Sequence, residues 1–122
     1  MKQTYETGIL GEDAAETYLH DNYGMTCLEK RFRTKSAEID LIMLDRDTIV
    51  FVEVKTRRTG APGNGLMTVN IAKQKRISRG ALLYLMKHCM LNKSVRFDVV
   101  EVNRDGIIHI PNAFQPGGMF FR

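Results

Sequence analysis

Apolar positions recur at three- and four-residue spacing from Thr7 to Tyr23: Ile9 or Leu10, Ala14, Ala15, Tyr18, Leu19 and Tyr23. That period predicts an amphipathic helix, and Gly24 is a natural stop at its end. From Met25 to Phe32 the pattern becomes that of a strand. Two stronger strands follow, Ala37 to Asp45 and Thr48 to Arg57, rich in Ile, Val and Phe and joined by the polar turn Asp45-Arg46-Asp47. Residues 58–69 hold three glycines and a proline and read as a mobile loop. Asn70 caps a second helix, Ile71 to Leu91, whose apolar stripe is Ile77, Ala81, Tyr84, Leu85 and His88 or Cys89. His88 is accordingly expected in the core. Ser94 to Val102 reads as a strand, and Asn103-Arg104-Asp105-Gly106 as a turn into a short strand, Ile107 to Ile110. The order α-β-β-β-α-β-β predicts an α/β fold, with helices covering both faces of a mixed sheet. The central hairpin is antiparallel, and the second helix crosses over to a parallel strand.

Charges interrupt this pattern where they are most costly. The strand Thr48 to Arg57 places Ile49, Phe51, Glu53 and Lys55 on one face and Val50, Val52 and Val54 on the other. It begins apolar on both faces and is expected to be buried on both. The preceding strand places Glu38, Asp40, Ile42 and Leu44 on one face and Ile39, Leu41 and Met43 on the other. If Asp45 pairs with Thr48, Asp40 lies opposite Glu53 and Glu38 opposite Lys55. Directly opposed carboxylates repel unless a cation or a proton lies between them. A hard divalent ion, Mg2+ or Mn2+, suits two carboxylates and the backbone carbonyl of Val54. Lys55 would orient the attacking water or stabilise the phosphate, and Glu38 would hold Lys55 in place. The plainer alternative is two surface cross-strand pairs, one of them repulsive by accident.

Composition narrows the field without deciding it. A chain of 122 residues, 43% hydrophobic and 26% charged, is ordinary for one globular domain and unlike a disordered or collagenous chain. The longest apolar run, Ala81 to Met86, is far too short to span a membrane, and the N-terminus has no apolar signal core. Cys27 and Cys89 have neither disulfide-framework nor metal-type spacing, so a reduced, cytoplasmic setting is expected. His20, His88 and His109 share no ligand spacing, and no phosphate-loop, dinucleotide or serine-nucleophile motif is present. The net charge of +4 is unevenly divided: residues 1–29 carry −5, residues 30–79 carry +7 and residues 80–122 carry +2. Basic clusters such as Lys30-Arg31-x-Arg33-x-Lys35 and Lys73-x-Lys75-Arg76-x-x-Arg79 suit a polyanion. From charge alone, a solvated surface is the favoured explanation.

The order of motifs adds a resemblance. Gly11-Glu12-Asp13-Ala14-Ala15, Tyr18-Leu19, Glu38-Ile39-Asp40-Leu41-Ile42 and Phe51-Val52-Glu53-Val54-Lys55-Thr56-Arg57 follow one another along the chain. Val69-x-x-x-Lys73-Gln74, Arg96-Phe97-Asp98-Val99-Val100 and His109-Ile110-x-Asn112-Ala113-Phe114 complete the series. Together they resemble the YraN family of small bacterial proteins, from about residue 8 to 114, and the Asp40…Glu53-x-Lys55 core is similar to the PD-(D/E)xK nuclease signature. The resemblance implies a restriction-endonuclease-like fold, similar to that of archaeal Holliday-junction resolvases. It also implies an acidic residue on the first helix near the metal, a position that Glu12 fills. Two positions depart from the family pattern: Ala37 stands where a glycine is usual, and Pro62-Gly63 where an aromatic precedes the loop glycine.

The expectation is a nuclease-like domain spanning 1–122, with a core at about 8–114, a mobile loop at 58–69 and a tail at 115–122. It would be a Mg2+- or Mn2+-dependent endonuclease acting on nucleic acid, with DNA favoured and a structure-selective preference implied by the resolvase likeness. Asp40, Glu53, Lys55 and Glu12 are the expected catalytic residues. Asp40, Glu53 and Val54 would hold the metal, with Glu38 behind them. Arg31, Arg33, Arg57, Arg58, Lys73, Gln74 and Arg76 would contact phosphates. Symmetric cutting of two strands would call for a homodimer. The alternatives are a nucleic-acid-binding module that keeps the fold and works through a partner, or a protein-interaction scaffold.

Overall fold

The computed structural model describes residues 2–57 and 69–115, with side chains from Leu10 onward. Most of the expected loop at 58–69, including Arg58, and all but the first residue of the expected tail therefore lie outside the described residues. The elements are α1 (Lys2–Tyr23), β1 (Thr26–Arg33), β2 (Glu38–Asp45), β3 (Thr48–Arg57), α2 (Ile71–Lys87), β4 (Ser94–Asn103) and β5 (Gly106–Phe114). The order is the one the sequence pattern predicts. They form one five-stranded mixed sheet in the order β1-β2-β3-β4-β5, in which only β3 and β4 run parallel.

The two apolar faces of β3 explain the three layers. Ile49 and Phe51 join Ile77, Ala81, Tyr84 and Leu85 of α2 in one core. Val50 and Val52 join Ala15 and Leu19 of α1 in the other. Each fully buried aliphatic side chain of this kind contributes about 1.5–3 kcal/mol. Leu10 is not among them, because Gly11 faces the sheet in its place. A Cβ on Gly11 would collide with Thr56 Oγ1, so this glycine lets α1 approach the end of β3.

Several boundaries differ from the sequence reading for local reasons. α1 begins five residues earlier than Thr7. α2 ends at Lys87 instead of Leu91 because Cys89 adopts φ 57, a left-handed stop without a glycine to announce it. His88 is consequently the exposed cap, its ring tilted against Tyr84 with centroids 4.4 Å apart, and not a core residue. β5 runs past Pro111 to Phe114, which an edge strand tolerates.

Asp98 stands apart from Glu53 in the sheet. It is fully buried on the α1 face of β4, opposite to the face that carries Glu53. Arg96 Nε and Nη2 donate to its two oxygens at 2.9 and 3.1 Å, and the backbone N–H of Asn112 donates at 2.9 Å. His109 Nε2 lies 2.7 Å from Asp98 Oδ2. Arg96 also reaches Asp45 at the β2–β3 turn, so one carboxylate clasps β4, β5 and the central hairpin. Burial alone would raise its pKa, but His109, Arg96 and the Asn112 N–H outweigh that and hold it below the ordinary carboxylate value. The stability this gives is present above the ordinary pKa and is lost as pH falls through the depressed one. Asp98→Ala leaves three donors unmatched and should cost about 3–5 kcal/mol in urea unfolding at pH 7. A loss below about 1 kcal/mol would show that the clasp is not structural.

Candidate active site

Pairing of β2 with β3 follows the expected register from Asp45↔Thr48 to Leu41↔Val52 and then stops. Continued, it would set Asp40 opposite Glu53 and Ile39 opposite Val54. Instead the Asp40 side chain replaces the ladder: Val54 N–H donates to Asp40 Oδ2 at 2.8 Å. β2 stays with β1 through Phe32↔Ile39 and Arg33↔Glu38. Its alternation breaks here, so Ile39 joins the α2-side core that strict alternation denies it. Gly80 makes room on α2, since a Cβ there would lie 3.3 Å from Ile39 Cδ1 and 3.2 Å from the Ala37 Cβ. The parting of the two strands opens a cleft of about 610 Å3 lined by Asp40, Glu53, Glu38, Arg33, Lys73 and Arg76, among others.

The electrostatics of the cleft are set by burial. Glu53 is 6% exposed. Lys73 Nζ lies 2.5 Å and Lys55 Nζ 3.6 Å from its Oε2. Burial, followed by repulsion from Glu53, pushes the Asp40 pKa up to about 8, against the Val54 N–H that favours its charged form. Glu12 and Glu38 add smaller repulsions. Burial and the adjacent Lys73 ammonium push Lys55 down. Burial acts in the same direction on Lys73, but its contact with Glu53 prevails and raises it.

Asp40, Glu53 and Lys55 are thus brought together, and Lys73 joins them. Other expected members are placed differently. Glu38 does not reach Lys55, because the strands have already parted; it pairs with Arg33 across β1–β2 at 3.2 Å. Glu12 is buried and holds Arg31 Nε at 2.8 Å, which turns Arg31 toward the protein. Lys30 likewise binds Asp13 and Glu16 of α1 at 3.1 and 2.7 Å. Gln74 Nε2 donates to the Val69 carbonyl at the start of α2. Arg57 has its Nε buried and lines a separate cavity at the ends of β3 and β4 with Arg104. Among the described residues, Lys35, Lys75, Arg76 and Arg79 make no ion pair within 4 Å; the last three are exposed on α2, with Arg76 at the edge of the cleft. Glu101, which the sequence reading passed over, is fully buried on β4 beside Lys55 and accepts from Asn103 Nδ2 at 2.8 Å. A charge inside Val99-Val100-Glu101-Val102 was the signal available for it.

Among the described residues no three His, Cys, Asp or Glu side chains converge on one point. A cation would therefore rest on Asp40 and Glu53, with oxygens from Val54, water or a ligand completing its shell. Two carboxylates whose mutual repulsion disfavours the charged pair are a donor set that Mg2+ or Mn2+ fits.

The uncharacterised protein family UPF0102 matches residues 11–102, three-quarters of the chain. The chain belongs to this family, also called YraN. UPF0102 proteins of Geobacter metallireducens and Desulforapulum autotrophicum are 44% and 42% identical to it. These matches cover 88% and 93% of this chain and 91% and 96% of the relatives. A UPF0102 protein of Syntrophus aciditrophicus is 45% identical over 84% of this chain and 80% of its own length. The crystal structure of SSO0001 is similar at a TM-score of 0.47 and 16% identity, covering 92% of this chain and 52% of that one. No helix among the described residues is long and apolar enough to cross a membrane. Ala37 is accommodated because Gly80 of α2 faces it.

The raised Asp40 pKa carries a stability signature. Folding is favoured by this group below its unfolded pKa near 3.8, and that contribution is lost as pH rises through about 8. Without divalent cations, the thermal midpoint of the parent should therefore fall between pH 5 and pH 9. Asp40→Asn keeps an acceptor for Val54 but removes the charge, so its midpoint should fall less. At pH 9 the variant should be the more stable by about 1–2 kcal/mol, within the range seen when costly buried charges are replaced. Parallel declines in the two proteins would show that Asp40 is not held in a repulsive field.

Proposed function

We propose that the protein is a divalent-metal-dependent phosphodiesterase that cuts nucleic acid internally, with DNA as the favoured substrate. What carries the proposal is the Val54 N–H bond to Asp40, because it ends the β2–β3 ladder and gives Asp40 and Glu53 a common cleft. Family membership and an element order expected of a restriction-endonuclease-like core support the same reading.

In this proposal Asp40, Glu53 and the Val54 carbonyl would hold Mg2+ or Mn2+. When bound, the ion supplies an activated water and offsets charge on the phosphate. Lys55 points along the same strand face as Glu53, where its ammonium would be placed to hydrogen-bond an attacking water. Its depressed pKa suits it to exchange a proton near neutral pH more readily than an ordinary lysine. Glu12 acts from a distance, by fixing Arg31 and adding negative potential at Asp40. Arg33 and Arg76 line the mouth of the cleft, and Lys75 and Arg79 extend that positive surface along α2. These four residues, with Lys73, would grip the phosphate backbone. A homodimer would bring two such clefts to the two strands of one substrate.

The test incubates purified protein with labelled linear, single-stranded, forked and four-way-junction DNA, with and without Mg2+ or Mn2+. Metal-dependent cutting is expected, and Asp40→Ala or Lys55→Ala should slow it by about 100-fold or more. Cutting that survives both substitutions would point to a contaminant. Binding without cutting under every metal would favour a recognition module in its place. In the binding arm, Arg76→Ala and Arg79→Ala should each lower the slope of log affinity against log salt by about 0.7–0.9. An unchanged slope would remove α2 from the interface.

A further inference from the structure

Glu53 Oε2 is shared by two ammonium groups that are held in different ways. Lys55 belongs to the same strand, so its position follows from that of Glu53. Lys73 reaches in from the first turn of α2 along a flexible four-carbon stem, and its Nζ is the nearer, at 2.5 Å against 3.6 Å. The side chain of Lys73 remains 28% exposed, so it has room to move toward solvent. Arg76, one turn further along α2, and Arg33 line the same cleft and mark where a phosphate would be met. A lysine ammonium is a point charge with no fixed fork, so it can change partners without matching a geometry. A divalent cation and an ammonium on one desolvated carboxylate repel each other.

We infer that Lys73 is an exchangeable counter-ion: its ammonium holds Glu53 until a divalent cation takes that carboxylate, and then passes to a nucleic-acid phosphate at the cleft mouth. The inference rests on the metal-dependent reading proposed above. It makes Lys73 a positioning residue that keeps the carboxylate neutralised and couples metal to nucleic acid. Coupling of this kind is reciprocal and commonly amounts to about 5- to 150-fold.

Calorimetric titration of Mn2+ alone into the full chain separates the possibilities. Lys73→Met should bind Mn2+ about tenfold more tightly than the parent, because the competing cation is gone. Lys73→Gln should behave like Lys73→Met, which guards against a folding defect in one variant, and Lys73→Arg should keep the weaker affinity of the parent. Fluorescence anisotropy with a short labelled DNA and Ca2+ supplies a second readout. Ca2+ should tighten DNA binding by the parent and do so less in Lys73→Met. Mn2+ affinities that agree in all four proteins would overturn the exchange and leave the nuclease reading standing. Mn2+ binding that is absent from the parent, or indifferent to Asp40→Ala, would overturn both.

Discussion

The site depends on one hydrogen bond that a regular sheet would not contain. Val54 N–H belongs to a ladder that runs in register from Thr48 to Val52, and its donor must be satisfied once β2 turns away. Asp40 Oδ2 satisfies it. A side chain thereby does the work of a backbone carbonyl, and β2 is free to follow β1 while β3 follows β4. The cleft is the gap between them. Had the ladder continued, Asp40 and Glu53 would face each other in a closed sheet, with no opening for a ligand. The same bond stabilises an Asp40 carboxylate that burial and Glu53 both disfavour, so the repulsion is retained without breaking the fold.

Much of the uneven charge along the chain is settled internally. The acids of α1 and the bases of β1 lie against one another: Glu12 with Arg31, and Asp13 and Glu16 with Lys30. Segment totals of −5 and +7 therefore overstate the free positive surface. What remains available is narrower and better placed, on the outer side of α2 and at the β1–β2 turn, next to the cleft. Charge counting along a sequence cannot make this distinction, because it depends on which helix lies over which strand.

The sequence conveyed the layers and the register more fully than it conveyed the site. Period-two alternation in β3 has a single solution when both faces are apolar, and the Asp45–Thr48 turn fixes its partner. The expected Glu38–Lys55 contact lies past the point where that register holds. Nothing in Glu38-Ile39-Asp40 announces a break in alternation, since the cause is a long-range bond to Val54 and a gap left by Gly80 on α2. Lys73 was legible only as a base near a helix start, because its partner lies on another element. Asp98 illustrates the opposite difficulty: its alternation with Phe97 and Val99 is plain, but a fully buried carboxylate is recognisable only once Arg96, His109 and Asn112 surround it.

Asp98 and Asp40 then show how the sheet separates its tasks. Asp98 on the α1 face accepts donors on both oxygens and is held ionised, the condition under which a buried charge stabilises. Asp40, at the opening between β2 and β3, accepts the Val54 N–H, has a second carboxylate for company, and is pushed toward its neutral form. If stability alone had shaped the chain, the second arrangement would resemble the first, since an arginine at the cleft could pair with Asp40 as Arg96 does with Asp98. Instead Arg33 and Arg31 pair with Glu38 and Glu12, and among the described residues the cations on Glu53 are Lys73 and Lys55. A fold that neutralises Asp98 so completely, yet leaves Asp40 in a repulsive field beside Glu53, keeps that strain at an open cleft, where stability alone would not have placed it.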